Sequence, residues 1–430
     1  PVSIPPHYLA GDGLSVEKAI RLKYTIPEDA GMNSCRLTTR IDSIVEDALS
    51  QKAIPGCNVF VAKDGKVIFQ KAYGYHTFDQ RIRCRTDDLY DLASVTKVAG
   101  GLPGVLKLYD EGKIDPDQPV SAYFPDWEKR LFHWSDKEDI TVRELYAHQS
   151  GLVPFIGFWK ETLKDGRLSS RWYRPQPDEK HTLCVAPGMY LADRFQKKVN
   201  REIRKTPLKA RGQYVYSDLP LVITPQLVEH ISGTDFRKYV EDQFYRPLGA
   251  WELTYNPLDR FPRDRIVPTE NDQYYRHQLI QGTVHDESAA VLGGVSGNAG
   301  LFASANDLGK LMQLYLQMGT YGGKHYVSMK EFTRVQFPQN NNRRGLIFDK
   351  PLINNAEVDP KKSYPCPGAS PESFGHSGFT GTFVWMDPVY QLTYIFLSNR
   401  VCPTRENNKL GELNVRTNIL QVLYDEVNSH

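Results

Sequence analysis

Residues 89–112 read LYDLASVTKVAGGLPGVLKLYDEG. The first five, Leu89 to Ala93, are β-rich, and the segment from Ser94 onward has apolar residues at helical spacing through Leu106, Leu108 and Tyr109. A strand therefore feeds a helix whose first turn carries Ser94 and Lys97. A serine hydroxyl is almost fully protonated at neutral pH and needs a neighbouring group to become a nucleophile. Spacing of i, i+3 on a helix sets an ammonium beside the hydroxyl. The positive end of the helix dipole and its free amides favour an anion at the same place. Gly100, Gly101, Pro103 and Gly104 fall inside this helix, and a proline removes a donor and clashes with the preceding turn, so the sequence predicts a kink or break there.

Chance alone supplies about one Ser-x-x-Lys in a chain of this size, so the tetrad is weak by itself. A second copy, Ser15-Val16-Glu17-Lys18, lies in a Pro- and Gly-rich lead-in and has no helix or strand to place it. The case for Ser94 rests on what surrounds it. Residues 34–51 have the period of an amphipathic helix. Asn58–Ala62 and Lys66–Ala72 read as a hairpin closed by Asp64-Gly65, a pair suited to positive φ. Residues 113–300 read as mostly helical with long loops, including helices over Ile140–Ala147 and Leu219–Ile231. A helix over 306–318 has Asn306 as its expected cap. Gly381–Met386 and Gln391–Leu397 read as strands, and a helix spans about 409–427.

Strands at both ends of the chain can share one antiparallel sheet, with the first and last helices on one face. The expectation is an α+β fold: an α/β lobe of about 26–115 plus 300–428, and a helical lobe of about 116–299. Residues 1–25 read as an extended lead-in or linker, left from a removed leader or upstream domain.

Two further elements carry chemistry. Tyr216-Ser217-Asp218 offers a phenol that can exchange a proton at the serine. Alone, Tyr216 is one of 24 tyrosines and would be read as a core aromatic. His376-Ser377-Gly378, in FGHSGFTGTFVWMDP, precedes an expected strand, and its glycines permit close approach to the backbone.

Taken together and in order, these three elements resemble the active-site signature of the penicillin-binding-protein and serine β-lactamase family. The branch is the one holding class C β-lactamases, DD-peptidases and esterases. NVFVAKDGKVIFQKAYGY (58–75), ITVRELYAHQSGL (140–152) and GGVSGNAGLFASANDLGKLMQLYL (293–316) extend the resemblance over roughly residues 26–428.

The resemblance implies a β-lactamase/transpeptidase-like fold and a covalent acyl-enzyme on Ser94. It implies that Lys97 shares the serine proton and that Tyr216 is the second acid/base. The amides of Ser94 and Phe379 would form an oxyanion hole. Asp218, His376, Ser377 and Gly378 would face the substrate, an amide, peptide or ester plausible as a D-amino-acid compound of cell-wall origin. It further implies an extracytoplasmic setting, periplasmic or similar, and no cofactor or metal. A true β-lactamase and a catalytically silent binding domain of the same fold are the alternatives.

Two departures bear on substrate. The second motif usually ends in Asn, which can donate a hydrogen bond, whereas the carboxylate of Asp218 only accepts and favours a protonated Lys97. The third often starts with Lys, whereas His376 is expected to be partly charged near neutrality, giving pH-dependent anion recognition.

Other classes fit less well. There are 53 Lys and Arg against 51 Asp and Glu, a net +2, without the basic excess of a nucleic-acid binder. The cation-rich run 194–211 reads as a solvated surface. No apolar run approaches the ~20 residues of a membrane span. The six cysteines form no CxxC pair, and their reading is scattered thiols. There is no Gly-x-Ser-x-Gly elbow, P-loop or HExxH. His285-Asp286-Glu287 is read as a loop supporting the cleft, since three consecutive side chains rarely converge on one ion, with Asp286 as a candidate for a supporting role at the site.

Overall fold

A computed structural model of the chain describes residues 20–128 and 135–429. The Ser15–Lys18 tetrad and most of the lead-in lie outside the described residues. The central sheet has six strands, in the order Lys23–Tyr24, Lys66–Gly74, Gly56–Lys63, Leu392–Ser398, Phe383–Asp387 and Phe374–Ser377. Only the first pair is parallel, so the two ends of the chain meet as antiparallel neighbours, with Ile395 opposite Phe60. The 64–65 turn forms as expected: Asp64 and Gly65 have φ of 53° and 72°.

Side chains along Gly56–Lys63 alternate between two cores, as the pleat requires. Val59 and Val61 face the terminal helices Ser34–Ser50 and Val415–Val427. Phe60 and Ala62 face the opposite core, which also holds the helix Ala305–Leu316. The first helix exists because Leu37, Ile41 and Val45 recur on one face and are fully buried. Each such side chain stabilises by at most roughly 1.5–3 kcal/mol. Asn33 starts that helix, its side chain accepting from the Arg36 amide at 2.8 Å.

Three local expectations are corrected. The helix at 305–316 is capped by Ser304, whose side chain accepts from the Asp307 amide, while Asn306 lies inside it and accepts from the Tyr24 hydroxyl. The C-terminal helix is split in two, Lys409–Glu412 and Val415–Val427, because Asn414 adopts φ 52°. Of the kink or break expected at 100–104, the break does not form. Lys97–Gly101 is a π-helical turn that runs directly into the α-helix Leu102–Asp110, and Pro103 sits at its first turn, where a missing donor costs little. The glycines serve packing. A Cβ on Gly100 would lie 2.3 Å from the Tyr255 hydroxyl, and one on Gly101 would lie 2.9 Å from the Gly297 carbonyl.

The middle of the chain is less helical than the sequence suggested. The helix Leu219–Ser232 is present, and Val142–Tyr146 is a single capped turn. Much of the rest is loops and short hairpins. A small three-stranded sheet, Thr254–Tyr255, Leu301–Ala303 and Tyr90–Asp91, delivers the chain to Ser94. No helix among the described residues is long and apolar enough to cross a membrane.

Candidate active site

Ser94 lies in a single 3-10 turn, Ala93–Val95, between the short strand Tyr90–Asp91 and the π-helical turn that carries Lys97. Ala93 has φ 45°, a left-handed conformation that costs a non-glycine residue energy and is held by its surroundings. The Asp91 carboxylate accepts from the Ala93 amide at 2.9 Å and from the His285 amide at 2.7 Å. From the other side, the Thr380 and Thr382 hydroxyls donate to the carbonyls of Asp91 and Leu92, both at 2.8 Å. The turn after strand Phe374–Ser377 is thereby fastened to the backbone just before Ser94. Gly378 is needed for that closeness, since its Cβ would lie 2.1 Å from Thr382 Oγ1 and 2.5 Å from the Leu92 carbonyl oxygen.

Lys97 is fully buried, and its Nζ donates to Ser94 Oγ at 2.7 Å. The same nitrogen lies 2.8 Å from Asp218 Oδ1, 3.4 Å from the Asn298 carbonyl, and 5.2 Å from the Tyr216 ring centroid. The Asp218 contact is an ion pair by distance but falls outside hydrogen-bond geometry, so Oδ1 has no hydrogen-bond partner. Burial alone would discharge Lys97, but the Asp218 carboxylate beside it outweighs burial and draws its pKa above the ordinary value, favouring the ammonium.

Tyr216-Ser217-Asp218 is held by a buttress that the sequence did not identify. The Val215 amide donates to the His148 carbonyl at 3.0 Å, the Ser217 hydroxyl to the Val153 carbonyl at 2.6 Å, and the Asp218 amide to the Pro154 carbonyl at 2.9 Å. The His148 ring lies 4.7 Å from that of Tyr216, and burial holds this imidazole neutral, far below its usual pKa.

The expectation for His376 is corrected. The residue is buried, and burial, with Arg344 and Lys97 nearby, pushes its pKa down to about 3. Its Nδ1 lies 2.8 Å from the Ser377 carbonyl and must donate to it, so Nε2 is left as an acceptor, facing the Arg344 guanidinium at 3.5 Å. The positive charge on this side comes from Arg344, which lies in the unremarked run Asn341-Asn342-Arg343-Arg344. It stays charged because Asp349, 3.7 Å away, outweighs the cost of its burial.

Ser94 opens on two cavities. One, of about 380 Å³, is lined by Tyr214, Tyr216, Arg344, His376, Phe379 and two further arginines. The other, of about 350 Å³, has the apolar walls Phe155, Ile156 and Trp159, with Asp218, Asp286 and Glu287. Phe379 and Ser94 belong to both. Neither the Ser94 nor the Phe379 amide donates to a protein acceptor among the described residues.

The 285–287 run supports the cleft and holds no common centre. His285 Nε2 pairs with Glu270 at 2.8 Å, Glu287 pairs with Arg405 at 2.9 Å, and Asp286 accepts from the Ala289 amide and from Asn298. Burial, with the charges of Asp218 and Glu287, pushes Asp286 up to about 6.

Fold and site together define a β-lactamase-like architecture, with the three sequence elements brought to one cleft edge. The Beta-lactamase family model matches residues 41–417, and the chain belongs to that family. A protein of Escherichia coli strain K12, provisionally named a D-alanyl-D-alanine carboxypeptidase, is 29% identical over 90% of this chain and 87% of its own length. A penicillin-binding-protein homologue from Caulobacter crescentus superposes with TM-score 0.63 at 17% identity, covering 92% of this chain and 99% of the other. EstCE1, described as a hydrolase with promiscuous acyltransferase activity, superposes with TM-score 0.64 at 18% identity, covering 90% and 98%. These two structures share the fold.

The Lys97–Asp218 pair gives a test of the site's charge state. In Asp218→Asn the attraction that lifts Lys97 is gone and burial remains, so Lys97 should titrate at lower pH than in the wild type. If the reaction needs the ammonium, kcat/KM should then fall on the alkaline side at lower pH than in the wild type. The pH–rate profiles of the two proteins check this, and a variant whose rate rises as Lys97 deprotonates would make the free amine the base.

Proposed function

We propose that this protein is a serine hydrolase that forms an acyl-enzyme on Ser94 and acts on an amide, peptide or ester, with D-amino-acid compounds the favoured class. The single observation that carries the reading is the 2.7 Å contact between the fully buried Lys97 ammonium and Ser94 Oγ. The relatives' provisional naming as carboxypeptidases supports the D-amino-acid class.

In this reading Ser94 Oγ attacks the substrate carbonyl. Lys97 donates to that oxygen and lowers the cost of the developing alkoxide. Because Lys97 already carries its proton, the step requires Tyr216, which lines the same cavity, to act as the phenolate: it takes the serine proton to become the phenol and then gives that proton to the leaving group. The amides of Ser94 and Phe379 receive the oxyanion, each such donor being worth about 3–4 kcal/mol in the transition state. Water then releases the acyl group. Asp218 holds the ammonium in place, and His376, Ser377 and Gly378 border the substrate on the side of the arginines. The family's habit favours an extracytoplasmic location.

Hydrolysis of a chromogenic ester, a D-alanyl-D-alanine peptide and a chromogenic cephalosporin should be compared between wild type and Ser94→Ala. The expected result is ester or D-peptide turnover that Ser94→Ala abolishes, with the cephalosporin acylating but leaving slowly. Steady cephalosporin turnover would instead make the protein a β-lactamase. Ligand binding without turnover, unchanged in Ser94→Ala, would make it a silent binding domain.

A further inference from the structure

The cavity between Ser94 and the third motif holds three guanidinium groups, Arg344, Arg400 and Arg416, and no carboxylate among its lining residues. Arg344 has its counterion in Asp349, behind the cavity wall. Arg400 and Arg416 make no ion pair among the described residues. They are fixed by carbonyl oxygens instead. Arg400 donates from Nε to Phe379 at 2.9 Å and from a terminal nitrogen to Asn407 at 2.5 Å, and its guanidinium lies 4.6 Å from the Phe379 ring centroid. Arg416 donates to the Thr382 carbonyl at 3.2 Å and lies 5.9 Å from the Phe383 ring centroid. Both are only partly accessible.

Holding two like charges in one partly buried cavity with no acid among its lining residues is unfavourable. Burial, and for Arg400 also the charge of Arg416, draws these side chains below the usual arginine range. A solvated surface cation would be free to move off. These two are held in place by backbone acceptors, and a rigid guanidinium fork suits carboxylate or phosphoryl oxygens. The cavity on the other side of Ser94 sets Asp218, Asp286 and Glu287 against Lys160 and Arg405, so the cations without an acid in their lining lie on the Arg400 and Arg416 side.

We propose that Arg400 and Arg416 form a subsite for a doubly charged anionic part of the substrate, two carboxylates or one phosphoryl group. Arg344 and the third motif hold the portion nearer Ser94. This inference deepens the acyl-transfer reading, on which it rests for calling the ligand a substrate.

Binding to Ser94→Ala protein separates the two, because it needs no turnover. Calorimetric titration would use N-acetyl-D-glutamate, with two carboxylates, N-acetyl-D-glutamine, with one, and N-acetyl-O-phospho-D-serine. The expected result is at least tenfold tighter binding of N-acetyl-D-glutamate or of N-acetyl-O-phospho-D-serine than of N-acetyl-D-glutamine. That gain should weaken as salt rises and should be lost when Arg416→Gln or Arg400→Gln is added. Arg416→Lys, which keeps the charge, should recover part of it and controls for misfolding. Which probe gains tells dicarboxylate from phosphoryl recognition. Equal affinity for all three probes, or a gain that survives both glutamine substitutions, overturns the subsite. Absence of a covalent adduct on wild-type Ser94 would sink the acyl-enzyme reading separately.

Discussion

Lys97→Ala is expected to slow acylation of Ser94 on the order of 10²–10⁴-fold, the range for losing a positioned proton-handling group. The fully buried Lys97 ammonium is the only cation within 3 Å of Ser94 Oγ among the described contacts, at 2.7 Å, and no other side chain there could replace its donated hydrogen bond. Its removal also strands Asp218. That side chain is 28% exposed, so water can reach it, and the stability loss should stay below the ~3–5 kcal/mol of breaking a fully buried pair. Single-turnover acylation and thermal unfolding of the variant check both halves. A nearly wild-type acylation rate would place the proton chemistry elsewhere, at Tyr216 alone.

Gly378→Ala should cost both stability and activity. The added Cβ would sit 2.1 Å from Thr382 Oγ1 and 2.5 Å from the Leu92 carbonyl, two groups hydrogen-bonded to each other at 2.8 Å. Backbone would have to move, at about 1–3 kcal/mol for such overpacking. The movement falls between Ser94 and Phe379, where a shift of about 1 Å can cost on the order of 10²-fold in rate. Unfolding temperature and kcat/KM, measured together, should both drop. If both were unchanged, the turn would be looser than its contacts indicate.

The sequence was most legible where local chemistry and periodicity agree. The 34–50 helix, the Asp64-Gly65 turn, the helix starting at Leu219 and the antiparallel meeting of the chain's two ends were all readable from period and turn residues. Boundaries failed where one residue overrode the pattern, as Asn414 did by taking φ 52° and splitting the last helix. The Gly/Pro run behind Ser94 misled because its reason is non-local: Tyr255 and Gly297 lie against glycines that propensity reads as breakers.

At the site, Ser94, Lys97, Tyr216 and Asp218 stand out from motifs in the sequence, and the carboxylate at 218 lies 2.8 Å from Lys97 Nζ, where it favours the ammonium. His376 was misjudged because its neutrality comes from burial and from Arg344, 32 residues away in sequence. Arg344, Arg400 and Arg416 carry no local signal at all. They converge because the sheet, the turn after His376 and the last helix bring three distant segments together.

The most direct measurement is intact-protein mass spectrometry after incubation with a fluorescent penicillin and with a fluorophosphonate, followed by peptide mapping, wild type beside Ser94→Ala. The account predicts a covalent adduct on Ser94 in the wild type and none in the variant. An adduct that persists in Ser94→Ala, or none on wild type with either probe while esters and D-peptides also stay intact, would contradict it.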